Sequence, residues 1–137
     1  MGRTLYDEWS SYWPAQGPDV PFSGFINTIA KYVLSTTLTD PTWQNSTVPS
    51  GDSGDVAAEV RDLKASADGD LVMSGSATTA RWLLANGLLD EFNLLVHPIV
   101  VGSGQRLFED TATYPLELLS SATLDTGVLH LRYAPAS

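Results

Sequence analysis

The sequence predicts an α/β protein whose helices and strands alternate along one domain covering residues 1–137. Apolar residues spaced three and four apart indicate amphipathic helices, and these segments alternate with short apolar or β-branched runs that are typical of strands. Hydrophobic residues make up 43% of the chain, which is close to ordinary globular proteins and sufficient for a buried core. The order helix, strand, helix, strand, helix, strand and hairpin favours a mixed sheet.

The sequence predicts four helices, over residues 3–13, 25–29, 55–67 and 77–86. The first has an aromatic face that recurs at helical spacing, and Pro14 ends it because proline lacks the amide hydrogen of a helix interior. Asp55 is a good N-cap for the third helix. Gly87 is a typical stop signal after the fourth.

The sequence also predicts strands over residues 32–37, 71–73 and 92–101, and a C-terminal hairpin of residues 116–124 and 128–133. Residues 71–73 form an apolar run too short for a helix, so a buried strand is expected. Pro98 cannot donate to a sheet ladder, so a bulge or an edge position is expected there. The segment 45–55 is rich in Ser, Gly, Pro and Asp and is predicted to be a loop.

Composition argues against several classes of function. The formal charge of −9 arises from 16 acidic and 7 basic residues, and such a surface repels the phosphate backbone of nucleic acids. The chain has no cysteine, which excludes disulfides, thiolate catalysis and zinc–thiolate sites. It has no apolar run of about 18 residues and no visible signal peptide at Met1. We therefore expect a cytoplasmic protein that binds neither nucleic acid nor membrane.

The junction between the predicted strand 71–73 and the next helix is the first candidate binding site. Free amides at a helix start and the positive end of the helix dipole favour an anion, and Gly75 permits close approach to the backbone. Ser76, Thr78 and Thr79 add hydroxyl donors. These features indicate a seat for a pyrophosphate, although Gly, Ser and Thr also serve simply to turn and cap a helix.

Two further candidates lie at the ends of predicted elements. Arg3, at the start of the first helix, can pair with a phosphate in bidentate fashion, or it is a solvated surface arginine. Ser35, Thr36 and Thr37 end a strand and can hydrogen-bond the same phosphate, or they are β-formers that lead into a turn. Because ligands of open α/β sheets gather at such ends, the three sites together predict one pocket for a phosphorylated cofactor.

Other polar motifs carry less weight. The glycine loop at residues 102–104 follows Pro98 and precedes no clear helix, which argues against a phosphate site there. His97 and His130 lack a second metal ligand at helical spacing, so structural roles are expected and no metal site is predicted. No catalytic residue is assigned, because neither a Ser-His-Asp set nor a carboxylate pair emerges.

Several segments, taken in order, resemble the dihydrofolate-reductase-like family. Residues 1–9 (MGRTLYDEW) are similar to its glycine–arginine helix entry, and residues 31–35 (KYVLS) to its adenosine-side strand. Residues 71–76 (LVMSGS) resemble the strand and glycine pair under the cofactor pyrophosphate, with Ser76 in place of the second glycine. Residues 89–108 resemble one branch, the reductase half of the bifunctional riboflavin-biosynthesis deaminase-reductase, or RibD C-terminal domain. The similarity covers nearly the whole chain.

The resemblance implies a three-layer α/β/α fold with a mixed, mainly parallel sheet and a C-terminal hairpin, without the first central strand and helix of the family. It implies a homodimer, NADPH binding and hydride transfer to a small heterocyclic or carbonyl substrate of the pterin or riboflavin-precursor type. By position, Arg3, Ser35 and Thr36 would hold the adenosine 2′-phosphate, and residues 75–78 the pyrophosphate. The full expected cofactor set is Gly2, Arg3, Thr4, Ser35, Thr36, Thr37, Gly75, Ser76, Ala77, Thr78 and Thr79.

Three functional hypotheses remain open at this stage. The first is an NADPH-dependent reductase. The second is a non-catalytic cofactor-binding or oligomerisation module, which the expected absence of the front strand favours. The third is a protein of this fold that binds no cofactor, in which replacing Arg3 would leave all ligand binding unchanged.

Overall fold

The computed structural model describes residues 1–49 and 55–136, and the chain divides into two compact units, Met1–Thr79 and Ala80–Ser137. The first unit contains α1 (Arg3–Tyr12), a 3-10 turn (Trp13–Ala15), α2 (Ser23–Thr28), β1 (Lys31–Tyr32), β2 (Ser46–Thr47) and α3 (Val56–Ser66). Helix α4 (Ala77–Ala85) begins in the first unit and ends in the second. The second unit contains β3 (Phe92–Val96), β4 (Leu116–Thr123) and β5 (Leu129–Pro135). The single domain stays a prediction.

The four predicted helices are confirmed. Asp55 caps α3, because its side chain accepts a hydrogen bond from the Ala58 amide at 3.0 Å. Pro14 lies in the 3-10 turn directly after α1, where its missing amide hydrogen breaks no helical bond. Gly87 follows α4 with φ +64°, a left-handed conformation that glycine adopts without strain.

The core of the first unit consists of Tyr6, Ile26, Val33 and Trp43. The Tyr6 hydroxyl accepts a hydrogen bond from the Trp43 amide at 3.0 Å, and the two rings lie 6.3 Å apart between centroids. Val33 is completely buried directly after β1. On the aromatic face predicted for α1, Tyr6 is therefore buried in this core and Trp9 and Trp13 pack against it half-buried, whereas Tyr12 is 53% exposed.

A buried lysine lies at the end of α2. The Lys31 ammonium group donates to the backbone carbonyls of Ile26 at 3.0 Å, Asn27 at 3.2 Å and Ile29 at 2.8 Å. It also lies 4.4 Å from the centroid of the Trp43 ring. Lys31 thus supplies a shared donor to carbonyls at the negative end of α2, where the Asn27 carbonyl also accepts from Gln44 Nε2 at 2.6 Å.

The predicted strand over residues 32–37 is shorter than expected. β1 ends at Tyr32, with one further bridge at Leu34, because the chain turns immediately afterwards. The Ser35 hydroxyl accepts hydrogen bonds from the amides of Thr37 at 3.2 Å and Leu38 at 3.0 Å. A serine that bonds its own downstream amides offers the backbone an alternative to the sheet ladder.

Strands β3, β5 and β4 form an antiparallel sheet in that order, and the β4–β5 pair confirms the predicted hairpin. A bulge between Leu118 and Ser120 leaves Leu119 outside the β5 ladder. Because side chains alternate along strands, the register places one apolar set on a common face. That set is Phe92, Leu94, Val96, Leu118, Leu129, Leu131 and Tyr133.

Three local predictions are wrong. Residues 71–73 and 97–101 contain no strand, and Val72 and Val100 are 87% and 95% exposed. A strand requires a hydrogen-bonded neighbour, and none of the described strands pairs with either run. Residues 46–47, predicted as loop, form β2, while residues 50–54 of that prediction lie outside the described residues.

The described residues also do not form the single mixed, mainly parallel sheet that was expected. They form a two-stranded parallel sheet, β1–β2, and a separate three-stranded antiparallel sheet. The runs at 71–73 and 97–101, which the sequence assigned to the same sheet, remain unpaired among the described strands. The three-layer arrangement therefore stays a prediction.

The second face of the three-stranded sheet carries a polar network. Glu91 accepts hydrogen bonds from Arg132 Nε at 2.8 Å and Nη2 at 2.6 Å, and from Asn93 Nδ2 at 2.8 Å. His130 Nε2 lies 2.9 Å from Asn93 Oδ1. The hydrogen bonds from Arg132, and then that from Asn93, hold the pKa of Glu91 below its ordinary value of 4.5.

Replacing this carboxylate, Glu91→Gln, is expected to remove an acid-sensitive part of the stability. A carboxyl whose pKa is lower in the folded chain than in the unfolded chain stabilises the fold above pH 4.5. This stabilisation is lost as the pH falls through the lowered pKa. The difference in Tm between the wild type and the variant should therefore be constant near neutral pH and shrink below about pH 4.5. Thermal unfolding followed by circular dichroism across this range measures it. Glu117→Gln is the matched control, because Glu117 lies opposite Ala134. If its Tm difference from the wild type shrank equally at low pH, the effect would not come from the hydrogen bonds of Glu91.

Candidate functional site

The start of α1 lies beside the end of β1. Gly2 forms a parallel bridge with Leu34, in which the Leu34 amide donates to the Met1 carbonyl at 2.9 Å. The Met1 nitrogen donates to the Tyr32 carbonyl at 2.7 Å. Because the two segments run in the same direction, Arg3 and the turn that begins after Leu34 follow the bridge on the same side.

Gly2 also lies against the start of α4. A Cβ atom on Gly2 would be 2.7 Å from Thr79 Oγ1 and 3.1 Å from Ser76 Oγ, distances shorter than normal contacts. Any larger side chain at this position would have to displace these hydroxyl groups. Three segments predicted to bind one ligand therefore meet around Gly2: the start of α1, the end of β1 and the start of α4.

The start of α4 is shaped by Gly75 and Ser76. Gly75 is exposed and has φ +88°, a left-handed conformation that favours glycine. Ser76 Oγ accepts a hydrogen bond from the Thr79 amide at 3.4 Å and lies 3.2 Å from Thr79 Oγ1. Ser76 therefore caps the helix, which is the alternative to phosphate binding given above for this segment. It also fixes the position of the first turn.

Arg3 has a partner that the sequence analysis missed. Its Nε donates to both carboxylate oxygens of Asp7 at 2.8 Å, and the arginine side chain remains 40% exposed. The spacing of four residues along a helix was the signal that could have revealed this pair. Asp7 directs the guanidinium along α1 and offsets part of its charge at the site.

The predicted cofactor residues differ in exposure. Thr4, Thr36, Thr37, Gly75 and Thr78 are exposed. Arg3, Ser35, Ser76 and Ala77 are half-buried. Gly2 and Thr79 are buried, and their close packing positions the neighbouring segments rather than presenting atoms to solvent.

The family can be decided from sequence comparison. A family model described as the RibD C-terminal domain matches residues 3–130. The chain belongs to this family. The matched range includes the whole predicted cofactor set except Gly2, so family membership and the site concern the same part of the chain.

Two known proteins are similar to this RibD C-terminal domain. The chain is 30% identical over 136 residues to the uncharacterised protein YyaP of Bacillus subtilis strain 168, covering 96% of this chain and 70% of that protein. A proposed riboflavin biosynthesis protein from Shewanella sp. PV-4, known from a crystal structure, is similar with a TM-score of 0.74 and 22% identity. That likeness covers all of this chain and 72% of the Shewanella chain, and it confirms a shared fold.

The described part of this RibD C-terminal domain contains no cluster of three or more His, Cys, Asp or Glu side chains that could hold a metal ion. None of the helices in residues 1–49 and 55–136 is long and apolar enough to cross a membrane.

Proposed function

We propose that this chain is a reductase that binds NADPH and promotes hydride transfer to a small heterocyclic or carbonyl substrate of the riboflavin-precursor type. Family membership supports a reductase-like role, and the name of the Shewanella protein points to riboflavin biosynthesis. The observation that carries the proposal is the meeting of α1, β1 and α4 around Gly2.

The electrostatics of the site suit an anionic cofactor. The first turns of α1 and α4 contain no acidic residue, although the whole chain carries a formal charge of −9. Amides at a helix start carry partial positive charge and favour phosphate groups. A Cβ on Gly75 would meet nothing within 4 Å, so the backbone there leaves room for a bound group.

Exposure and position suggest which residues would hold each part of the cofactor. Residues 75–78 would hold the pyrophosphate through the amides at the start of α4 and the Ser76 and Thr78 hydroxyl groups. Arg3 would pair with the adenosine 2′-phosphate, with Thr4 beside it and hydroxyl groups of residues 35–37 opposite. Gly2 and Thr79 would act as positioning residues, because both are buried.

The bound cofactor would supply the hydride, and the protein would contribute position and charge. The residues of this site hold the phosphate end of the dinucleotide, which fixes where its reactive ring can lie. The interaction with a 2′-phosphate is what would favour NADPH over NADH, because NADH lacks that group.

Titration of the purified chain with NADPH and NADH tests the proposal. Arg3→Ala is expected to raise the Kd for NADPH about 10–100-fold, because a hydrogen bond to a charged group contributes about 1.5–3 kcal/mol. The Kd for NADH should change far less. Asp7→Asn should lower the Kd for NADPH, since the guanidinium then loses a competing carboxylate.

Arg61→Ala, which removes an exposed arginine from α3, is the matched control and should leave both affinities unchanged. Failure to bind either nucleotide would overturn the proposal. Binding of NADPH without its oxidation by any pterin or pyrimidinone substrate would instead favour the non-catalytic binding module.

A further inference from the structure

A cavity of about 430 Å³ lies within the first unit. Its walls come from the end of α1, the 3-10 turn, the end of α2 and the loop before β2. Ser10 in this wall follows Arg3 by seven residues on α1, which corresponds to about 10 Å along the helix axis. The cavity is therefore separate from the segments that meet around Gly2. Its lining residues are Ser10, Pro14, Asn27, Thr42, Trp43 and Gln44.

Asn27 holds the walls of this cavity together. Its Nδ2 donates to the Trp13 carbonyl at 3.0 Å, and its Oδ1 accepts from Trp43 Nε1 at 2.8 Å. Its backbone carbonyl accepts from Gln44 Nε2 at 2.6 Å. Trp43 is only 4% exposed and belongs to the core of the first unit. The cavity is thus pre-organised, so a ligand would have few side chains to order on binding.

Three polar groups of the lining retain hydrogen-bonding capacity. Thr42 is exposed, and its hydroxyl group forms no hydrogen bond with the described residues. Gln44 donates through Nε2, which leaves its Oε1 as an acceptor. Ser10 Oγ donates to the Asp7 carbonyl at 3.3 Å and keeps its own lone pairs. Because these groups together donate and accept, they match the hydroxyl groups of a ligand, which do both.

The charge of the surroundings disfavours an ionic ligand. The described residues that line the cavity carry no charged side chain. An anion would be desolvated without a counter-charge, in a chain whose formal charge is −9. The nearby Lys31 ammonium group, 4.4 Å from the Trp43 ring centroid, is buried and already donates to three carbonyls. A cation would find no carboxylate in the lining and would be repelled by Lys31.

We propose that this cavity binds a neutral ligand rich in hydroxyl groups, a sugar or a sugar alcohol. The ligand hydroxyl groups would bond with Ser10, Thr42 and Gln44, and its C–H groups would contact the exposed ring of Pro14. The volume falls within the range of small-molecule sites, about 300–1,000 Å³. The proposal is independent of NADPH binding, because the two sites lie at opposite ends of α1.

Titration of the purified chain in the absence of NADPH tests the proposal, with glucose and sorbitol as neutral probes. NMR detects binding through the indole N–H of Trp43, one of four tryptophans, because Trp43 lines the cavity. We expect a Kd of about 1–10 mM for at least one neutral probe, as for other small ligands held by a few hydrogen bonds. Glucuronate and glucosamine, which add a carboxylate or an ammonium group to the same ring, should bind at least about 10-fold more weakly.

Two variants locate the binding site. Ser10→Ala and Thr42→Val each remove one hydroxyl group from the lining and should raise the Kd at least about 5-fold. Ser11→Ala is the matched control, because the Ser11 hydroxyl also donates to the Asp7 carbonyl, at 2.9 Å, but is not part of the lining. Circular dichroism confirms that each variant is folded.

Several results would contradict a neutral sugar site in this cavity. One is the absence of binding by glucose and sorbitol at about 50 mM, and another is equal binding of glucuronate or glucosamine. A Kd that neither lining variant raises, or that Ser11→Ala raises as much as Ser10→Ala, would also overturn the proposal. Failure of NADPH to bind would leave it intact, since the titrations contain no cofactor.

Discussion

Replacing Gly2 by alanine is expected to lower the free energy of unfolding by about 1–3 kcal/mol, the usual cost of overpacking a closely packed position. The new methyl group would lie 2.7 Å from Thr79 Oγ1 and 3.1 Å from Ser76 Oγ, so these side chains or the backbone must move. Movement of Ser76 would disturb its bond to the Thr79 amide at the start of α4. The Kd for NADPH should therefore rise at least about 10-fold, in parallel with the loss of stability.

Chemical denaturation and NADPH titration measure the two effects. Gly24→Ala is the matched control, because a Cβ there meets nothing within 4 Å and alanine favours helix at this exposed position of α2. In a Thr79→Ala background the shortest contact disappears, and the cost of Gly2→Ala should fall by about 1 kcal/mol. An unchanged cost in that background would contradict steric contact with Thr79 as its cause.

The sequence predicted the helices well because their signals are local. The side-chain cap at Asp55, the proline after α1 and the glycine after α4 each act within a few residues of the helix end they define. The aromatic spacing of α1 needed only one buried face, which the core around Tyr6 and Trp43 supplies.

Strands were predicted less well because a strand exists only with a partner. Residues 71–73 and 97–101 have strong strand composition but no hydrogen-bonded neighbour among the described strands. The C-terminal hairpin was predictable because its partner follows immediately in the chain. Nothing within residues 71–73 reveals whether a neighbouring strand is present.

The candidate site likewise combines features that the sequence predicts with contacts that only the tertiary fold determines. The sequence identified the segments around Gly2, Ser35 and Gly75, and the structure brings the start of α1, the end of β1 and the start of α4 together. The contact between Gly2 and Thr79 depends on tertiary packing, which spacing along the chain does not encode. The pairing of Arg3 with Asp7 was readable from the sequence, because it depends only on helical spacing.

Replacing Lys31 by methionine is expected to lower the free energy of unfolding by about 2–3 kcal/mol. Methionine retains much of the apolar stem but leaves the carbonyls of Ile26, Asn27 and Ile29 without their common donor. It also removes the cation 4.4 Å from the Trp43 ring, an interaction that contributes about 0.5–2 kcal/mol elsewhere. Burial lowers the pKa of Lys31, which reduces the net gain from its charge, but the three acceptors compensate for the lost water.

Lys64→Met, at the other lysine of the chain and in the last turn of α3, is the matched control. A cation in a last helical turn contributes typically less than about 1 kcal/mol, so this variant should change stability much less. Urea denaturation followed by tryptophan fluorescence measures both, because Trp43 reports on the environment next to Lys31. If Lys31→Met were no more destabilising than Lys64→Met, the α2 carbonyls would have to find water once the ammonium group is gone. The end of α2 would then not depend on the lysine for its stability.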